Sequence, residues 1–125
     1  MDYTGHIPSP PLNTYIDDLY YWCGPAPYPR LKALPMPSLH LMVNFGDVFR
    51  VYEPDQAEPV ATCTESWAMG LLSRYHIVDW PPNVQFFGIH FKPGGAYPFL
   101  KLPLSELHNQ IVSADAIWGA SAAEL

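Results

Sequence analysis

Hydrophobic and polar positions change period several times along this chain, and each change marks an element. After Ser9-Pro10-Pro11, which reads as a helix N-cap and first turn, apolar residues fall at Leu12, Tyr15, Ile16, Leu19, Tyr20 and Cys23. Spacings of three and four predict a helix with one buried stripe, ended by Gly24-Pro25, with Asn13, Asp17 and Asp18 facing solvent. The stretch from Pro25 to Pro37 is proline-punctuated and extended. Leu39, Leu41, Val43 and Phe45 then alternate with His40, Met42 and Asn44, the period of a strand. Gly46-Asp47 turns it into a second strand, where Phe49 and Val51 alternate with Val48, Arg50 and Tyr52. An acidic surface loop follows from Pro54 to Pro59. Val60 to Thr64, Trp67 to Leu72 and Tyr75 to Val78 read as shorter strands, and Val84 to Phe91, after the turn Pro81-Pro82-Asn83, as the last strong one.

The pattern changes at Lys92-Pro93-Gly94-Gly95. Pro93 fixes φ, and the two glycines permit the positive φ that few other residues tolerate, so the chain bends sharply there. Beyond it, Ala96 to Leu100 and Leu104 to Gln110 read as short helices. Ser113 caps a third, with Asp115 near its N-terminus and Ala114, Ile117, Trp118 and Leu125 continuing a helical period. The missing C-cap predicts that something longer follows. The fold expected from these elements is mainly β with flanking helices: an antiparallel barrel or sandwich, an N-terminal helix and a C-terminal helical tail.

Composition narrows this further. With 125 residues, the chain is one domain that buries roughly two thirds of its unfolded surface. Apolar residues reach 49% and charged residues 14%, so the 15 prolines punctuate a folded chain instead of marking disorder. The formal charge is −6, and Arg30, Lys32, Arg50, Arg74, Lys92 and Lys101 are scattered, so this chain alone is not expected to bind nucleic acid. Cys23 and Cys63 have neither metal-type spacing nor the density of a secreted disulfide scaffold. No leader pattern opens the chain, and its apolar runs fall far short of the about 20 residues of a membrane helix. The expected location is the cytoplasm.

Candidate chemistry is sparse. The Lys92-Pro93-Gly94-Gly95 turn offers backbone amides and one cation to an anion, although the commoner use of such glycines is conformational. His40, His76 and His90 lie on predicted strands, but no His-x-His pair or nearby glutamate makes a ligand set, so no metal or other cofactor is expected. Ser38, Ser66, Ser73 and Ser105 lack a nucleophile-elbow context, and Asp17-Asp18 reads as a solvated face. The aromatic richness carries more information, because ligand pockets are lined by aromatic residues with a few placed polar groups. His40, Met42 and Asn44 on one strand, and Phe86, Gly88 and His90 on the other, share an even-numbered face. With Trp67 and His76 nearby, His40, Met42, Asn44 and His90 are the expected ligand site. The competing reading is an ordinary aromatic core.

Several short patterns occur in a fixed order. A proline-led helix ends in Tyr21-Trp22, Leu34-Pro35 precedes a strand ending in Asn44-Phe45-Gly46-Asp47, and Gly70 closes another strand. Gly88-x-x-Phe91-Lys92-Pro93-Gly94-Gly95 follows, then Leu102-Pro103-x-x-Glu106-Leu107, Asp115 and Trp118-Gly119. In this order the chain resembles the sensor-like N-terminal domain of AraC-type transcriptional regulators, without the helix-turn-helix part. The resemblance implies that residues 1–125 form a single domain, with a helix and a cupin-like antiparallel β-barrel or sandwich over about 1–100 and a helical tail over about 96–125 leading toward a DNA-binding domain. It also implies a ligand-sensing or dimerising role, an unknown small-molecule effector, a homodimer and no enzymatic activity. The alternatives are a stand-alone small-molecule-binding protein and a cupin-like enzyme.

Overall fold

The computed structural model describes residues 2–26, 28–100 and 103–119. Among the described residues ten strands form two antiparallel sheets: β1 (Asp2–His6), β2 (Ile16–Pro25), β3 (Arg30–Ala33), β4 (Met36–Asn44), β5 (Phe49–Tyr52), β6 (Ala61–Cys63), β7 (Ser66–Leu72), β8 (His76–Asp79), β9 (Asn83–Phe91) and β10 (Ile111–Ser113). The larger sheet has the order β1-β2-β9-β4-β7-β10, and the smaller the order β3-β8-β5-β6. The two are hydrogen-bonded separately, so the architecture is a sandwich and not a closed barrel.

The expected N-terminal helix does not form. Only Leu12–Thr14 makes a 3-10 turn, and β2 occupies the rest of that segment. The apolar spacing misled because β2 is a central strand covered on both faces. Leu19 packs with one hydrophobic cluster, while Tyr20 and Trp22 pack with the other. Residues buried on both faces of a strand mimic a helical stripe. A shift of register between Ile16 and Asp18 adds to the effect, since it puts Ile16 on the same side as Leu19 despite their odd separation. The Tyr- and Trp-rich composition of β2 fits a strand better than a helix. The edge strand β1 is exposed throughout and gave no hydrophobic signal.

One cluster lies on the outer face of the large sheet. Ile16, Leu39, Leu41, Ala68 and Phe91 meet Ala96, Leu100 and Leu107 there, with Ile117 and Trp118 packed alongside. The covering layer comprises α1 (Tyr97–Leu100), a 3-10 turn over Leu104–Leu107 and α2 (Ala114–Trp118). Trp118 Nε1 donates to the Phe99 carbonyl at 3.2 Å and ties α2 to α1. The tail is not wholly helical, because β10 pairs with β7 between the 3-10 turn and α2. Ser113 stands at the N-cap of α2, and its hydroxyl bonds the Asp115 carboxylate instead of a backbone amide. The expected continuation of the last helix to Leu125 lies outside the described residues.

The second cluster lies between the sheets. Phe49, Val51, Cys63 and Val78 of the small sheet face Tyr20, Trp67, Val84 and Phe86 of the large one. Aromatic rings dominate it, with Phe49 set edge-on to Phe86 at 5.5 Å and to Trp80 at 5.3 Å.

The Lys-Pro-Gly-Gly turn connects the layers. Gly94 adopts φ +75°, and a Cβ on Gly95 would collide with the Tyr15 carbonyl, so both glycines answer to backbone geometry. Lys92 N–H donates to the Tyr15 carbonyl at 2.9 Å and Gly95 N–H to the Lys92 carbonyl at 2.7 Å.

Candidate functional site

An apolar cavity of about 160 Å³ lies between the sheets. Met42 of β4, Trp67 and Met69 of β7 and Phe86 of β9 form its wall on the large sheet. Leu31 and Ala33, Phe49 and Val51, and Val78 and Trp80 form the opposite wall, with the exposed Lys32 at its rim. The large-sheet wall is made by alternation: residues that face it are the even-numbered members of β4 and β9 and the odd-numbered members of β7, which the antiparallel register places side by side. Other hollows differ in chemistry. One of about 370 Å³ beside β6 and β10 is lined by hydroxyls and carboxylates such as Thr62, Thr64, Glu65 and Asp115.

A polar cluster continues the same face past the methionines. His40 pairs in register with Met69 on one side and His90 on the other, and His90 pairs with Asp18. The His40 and His90 rings stack with centroids 4.2 Å apart and planes within 4° of parallel. Tyr20 Oη lies 2.9 Å from His40 Nδ1. His90 is held at both nitrogens, by Asp18 Oδ1 at 3.0 Å from Nδ1 and by Ser38 Oγ at 2.9 Å from Nε2. The register shift in β2 puts Asp18 opposite His90, and a second one in β4, between Met36 and Leu39, adjoins Ser38. Bulges of this kind re-aim side chains.

Burial sets the electrostatics. Desolvation, helped by the neighbouring His90 and opposed by Asp18, lowers His40 to a pKa of about 4, so it is neutral at physiological pH. Burial first and Asp18 second push the Tyr20 hydroxyl far above its ordinary value, and it keeps its proton. Burial alone raises the Cys63 thiol to about 12, which leaves it unreactive.

Ser38, His90 and Asp18 stand in the order of a nucleophilic triad, but their exposure runs the wrong way for one. Ser38 is 6% exposed, whereas the His90 and Asp18 side chains are 27% and 31% exposed. The relay therefore opens to solvent at its carboxylate end, while an attacking hydroxyl has to meet its substrate. Its evident effect is to fix the His90 ring, and with it the stacked His40.

The sequence-derived site residues separate into groups. Met42 and Trp67 line the cavity, while His40 and His90 lie farther along the same sheet face without lining it. Asn44 does not line it. Its Nδ2 donates to the Asp47 carbonyl at 2.9 Å and the Thr64 carbonyl at 3.2 Å, and its Oδ1 accepts from Gly46 N–H at 3.1 Å, so Asn44 holds the turn between β4 and β5. His76 is buried on β8 opposite Ala33, 1% exposed, with Nδ1 unpartnered among the described residues, and it does not line the cavity. Lys92, Gly94 and Gly95 are remote in role: the amides of Lys92, Gly95 and Tyr97 already donate to backbone carbonyls. Tyr20, Asp18 and Ser38 were missed. Reading Asp18, Tyr20 and Trp22 as one face of a strand would have found the first two. Among the described residues, no three His, Cys, Asp or Glu side chains are arranged to hold a metal ion, and no helix is long and apolar enough to cross a membrane.

Residues 4–113 match the family described as a domain of unknown function, DUF6597, and the chain belongs to it. No curated protein and no solved structure matches the chain.

Proposed function

We propose that this DUF6597 chain is a ligand-sensing or dimerisation domain of an AraC-type cytoplasmic transcription regulator, neither an enzyme nor itself a DNA-binding element. The observation that carries the sensing role is the cavity of about 160 Å³ between the sheets, apolar on both walls, with a hydrogen-bonded polar cluster farther along the same sheet face. An engineered apolar cavity of about 150 Å³ stays dry and takes up benzene, so this space suits one ring. The regulator assignment draws on the ordered motifs from Tyr21-Trp22 to Trp118-Gly119.

A sensor has to bind its effector differently in two states, since equal affinity shifts no equilibrium. The helical layer of α1 and α2 lies across the large sheet from the cavity, on the reverse face of the same strands. It is the natural relay toward a DNA-binding partner domain or a second copy.

The test is thermal unfolding with single-ring probes. A ligand that binds only the folded state raises the melting temperature by mass action. The rise is expected for wild type and not for Met42→Trp, which fills the cavity. Equal shifts in both proteins, or none in either, would remove the pocket and leave dimerisation as the role. The scattered basic residues further predict no salt-dependent affinity of this chain for duplex DNA, readable by titration at two salt concentrations.

A further inference from the structure

The two sheets differ in width, and the difference leaves an opening. Among the described residues the larger sheet has six strands and ends at β10, while the smaller has four and ends at β6. Each of these outermost strands has a partner on one side only, β7 for β10 and β5 for β6. The hollow of about 370 Å³ lies between them. β6 lines it with Ala61, Thr62 and Cys63 in succession, whereas β10 lines it with Ile111 and Ser113 and skips Val112. Side chains alternate across a strand, so successive residues meet a hollow along the backbone edge and alternate residues meet it with one face. For β10 that face is the inner one, since Ile111 packs with the cluster between the sheets and Val112 with the outer cluster. The inner face of β10 thus overhangs the unpaired edge of β6, where a fifth strand of the smaller sheet would lie.

That edge is open to pairing. Beyond the ladder with β5, no backbone hydrogen bond engages Ala61, Thr62 or Cys63 among the described residues. An unpaired edge presents N–H and C=O groups that template another strand, and proteins guard such edges with lysines, prolines or inward charges. Ala61-Thr62-Cys63 has none of these. Its three residues span about 10 Å, so a short segment saturates it. Trp67 and Ile111 give the hollow an apolar wall, while Glu65 and Asp115 are exposed at it and no described Lys, Arg or His lines it. The two carboxylates lie at one end. Glu65 follows β6 just before β7 begins, and Asp115 follows Ser113, which pairs in register with Trp67 near the start of β7.

We propose that the hollow takes an extended segment of a partner protein, which adds to the edge of β6 as a fifth strand beneath β10. Alternate apolar side chains of the segment face Ile111, and a basic residue at its end meets Glu65 and Asp115. The chain's own charge of −6, with its six basic residues scattered, favours a foreign basic segment over a second copy. This interaction is separate from the sensing role, and its hollow shares only Trp67 with the apolar cavity.

The experiment is a chemical-shift titration with a capped pentapeptide, lysine-valine-threonine-valine-lysine, whose valines share one face and whose lysines serve either strand direction. Saturable shifts are expected at the amides of Ala61, Thr62, Cys63, Ile111 and Ser113, with Leu31 and Met42 of the apolar cavity unmoved. Glu65→Gln should weaken binding roughly two- to fivefold, the worth of a surface charge pair. Replacing both lysines of the peptide by glutamate should weaken it further. Methylating the three central amides removes strand donors, keeps the charges and should abolish the shifts. Undiminished binding of the methylated peptide would overturn the added strand. Equal binding of the glutamate peptide, or no shift at β6 with the parent peptide, would overturn the proposal as well. Shifts at β6 that grow with protein concentration alone would make a second copy the occupant and overturn the foreign partner. The peptides decide the matter on wild type even where Glu65→Gln does not fold.

Discussion

The two faces of the large sheet are built from neighbouring residues of the same strands and have opposite characters. On the outer face Leu39, Leu41 and Phe91 are each at most 4% exposed and meet a covering layer of apolar side chains. On the inner face His40, Met42 and His90 are half-buried beside a cavity and a hydrogen-bonded cluster. Strand alternation places every second residue in a different solvent, so a single strand supplies structural integrity on one side and recognition on the other. The difference teaches where tolerance should lie. The packed face is covered by apolar side chains, whereas the inner face keeps adaptable methionines and an unfilled space.

Truncation is the strongest way to break that comparison. Phe91→Ala should cost about 3–5 kcal/mol, because the covering layer cannot collapse onto the space it leaves. Met42→Ala only enlarges an existing cavity and should cost about 2 kcal/mol or less. Urea denaturation of the two variants reads the difference, and equal losses would erase the distinction between the faces.

Acid probes the inner face alone. Unfolded histidine protonates near pH 6.5 and folded His40 only near 4. Between these values the unfolded chain binds more protons, so stability is full above about 6.5 and falls as the pH drops toward 4. The loss from this group is at most about 3 kcal/mol. The difference in pH profile between wild type and His40→Phe isolates it from carboxylate titration; parallel profiles would show that the ring is not desolvated.

A smaller effect sharpens the link between the cluster and the sheet. At Gly88 a Cβ would enter the Tyr20 ring, so Gly88→Ala should displace that ring from His40 and cost about 1–3 kcal/mol. Asp18→Asn should cost about 1 kcal/mol or less, since the pair it removes is partly exposed. A large loss on Asp18→Asn would mean that the relay supports the fold and not only the orientation of His90.

Much of this arrangement was legible in the chain. The alternation of Leu39 to Phe45 and of Val84 to Phe91 located the two strands and their two faces, and of the expected site residues Met42 and Trp67 line the cavity, while His40 and His90 share its sheet face without lining it. The strand β2 was not legible, because a central strand apolar on both sides, with an irregularity at Ile16 and Asp18, has no clean period of two. Asp18 was lost with it. Asn44 looked like a site residue because it alternates with the buried ones, yet it closes a turn, which periodicity does not distinguish. The edge strands β1 and β10 were hidden too: one is wholly exposed, and the other is three residues long.

The central claim, that recognition belongs to the inner face alone, is tested most directly by mapping chemical shifts while a single-ring probe such as acetophenone is titrated in. The account predicts perturbations at Met42, Met69 and Trp67, with Leu41, Phe91 and Leu107 on the packed side left nearly unmoved. Perturbations confined to the packed side, or none at saturating probe, would contradict it.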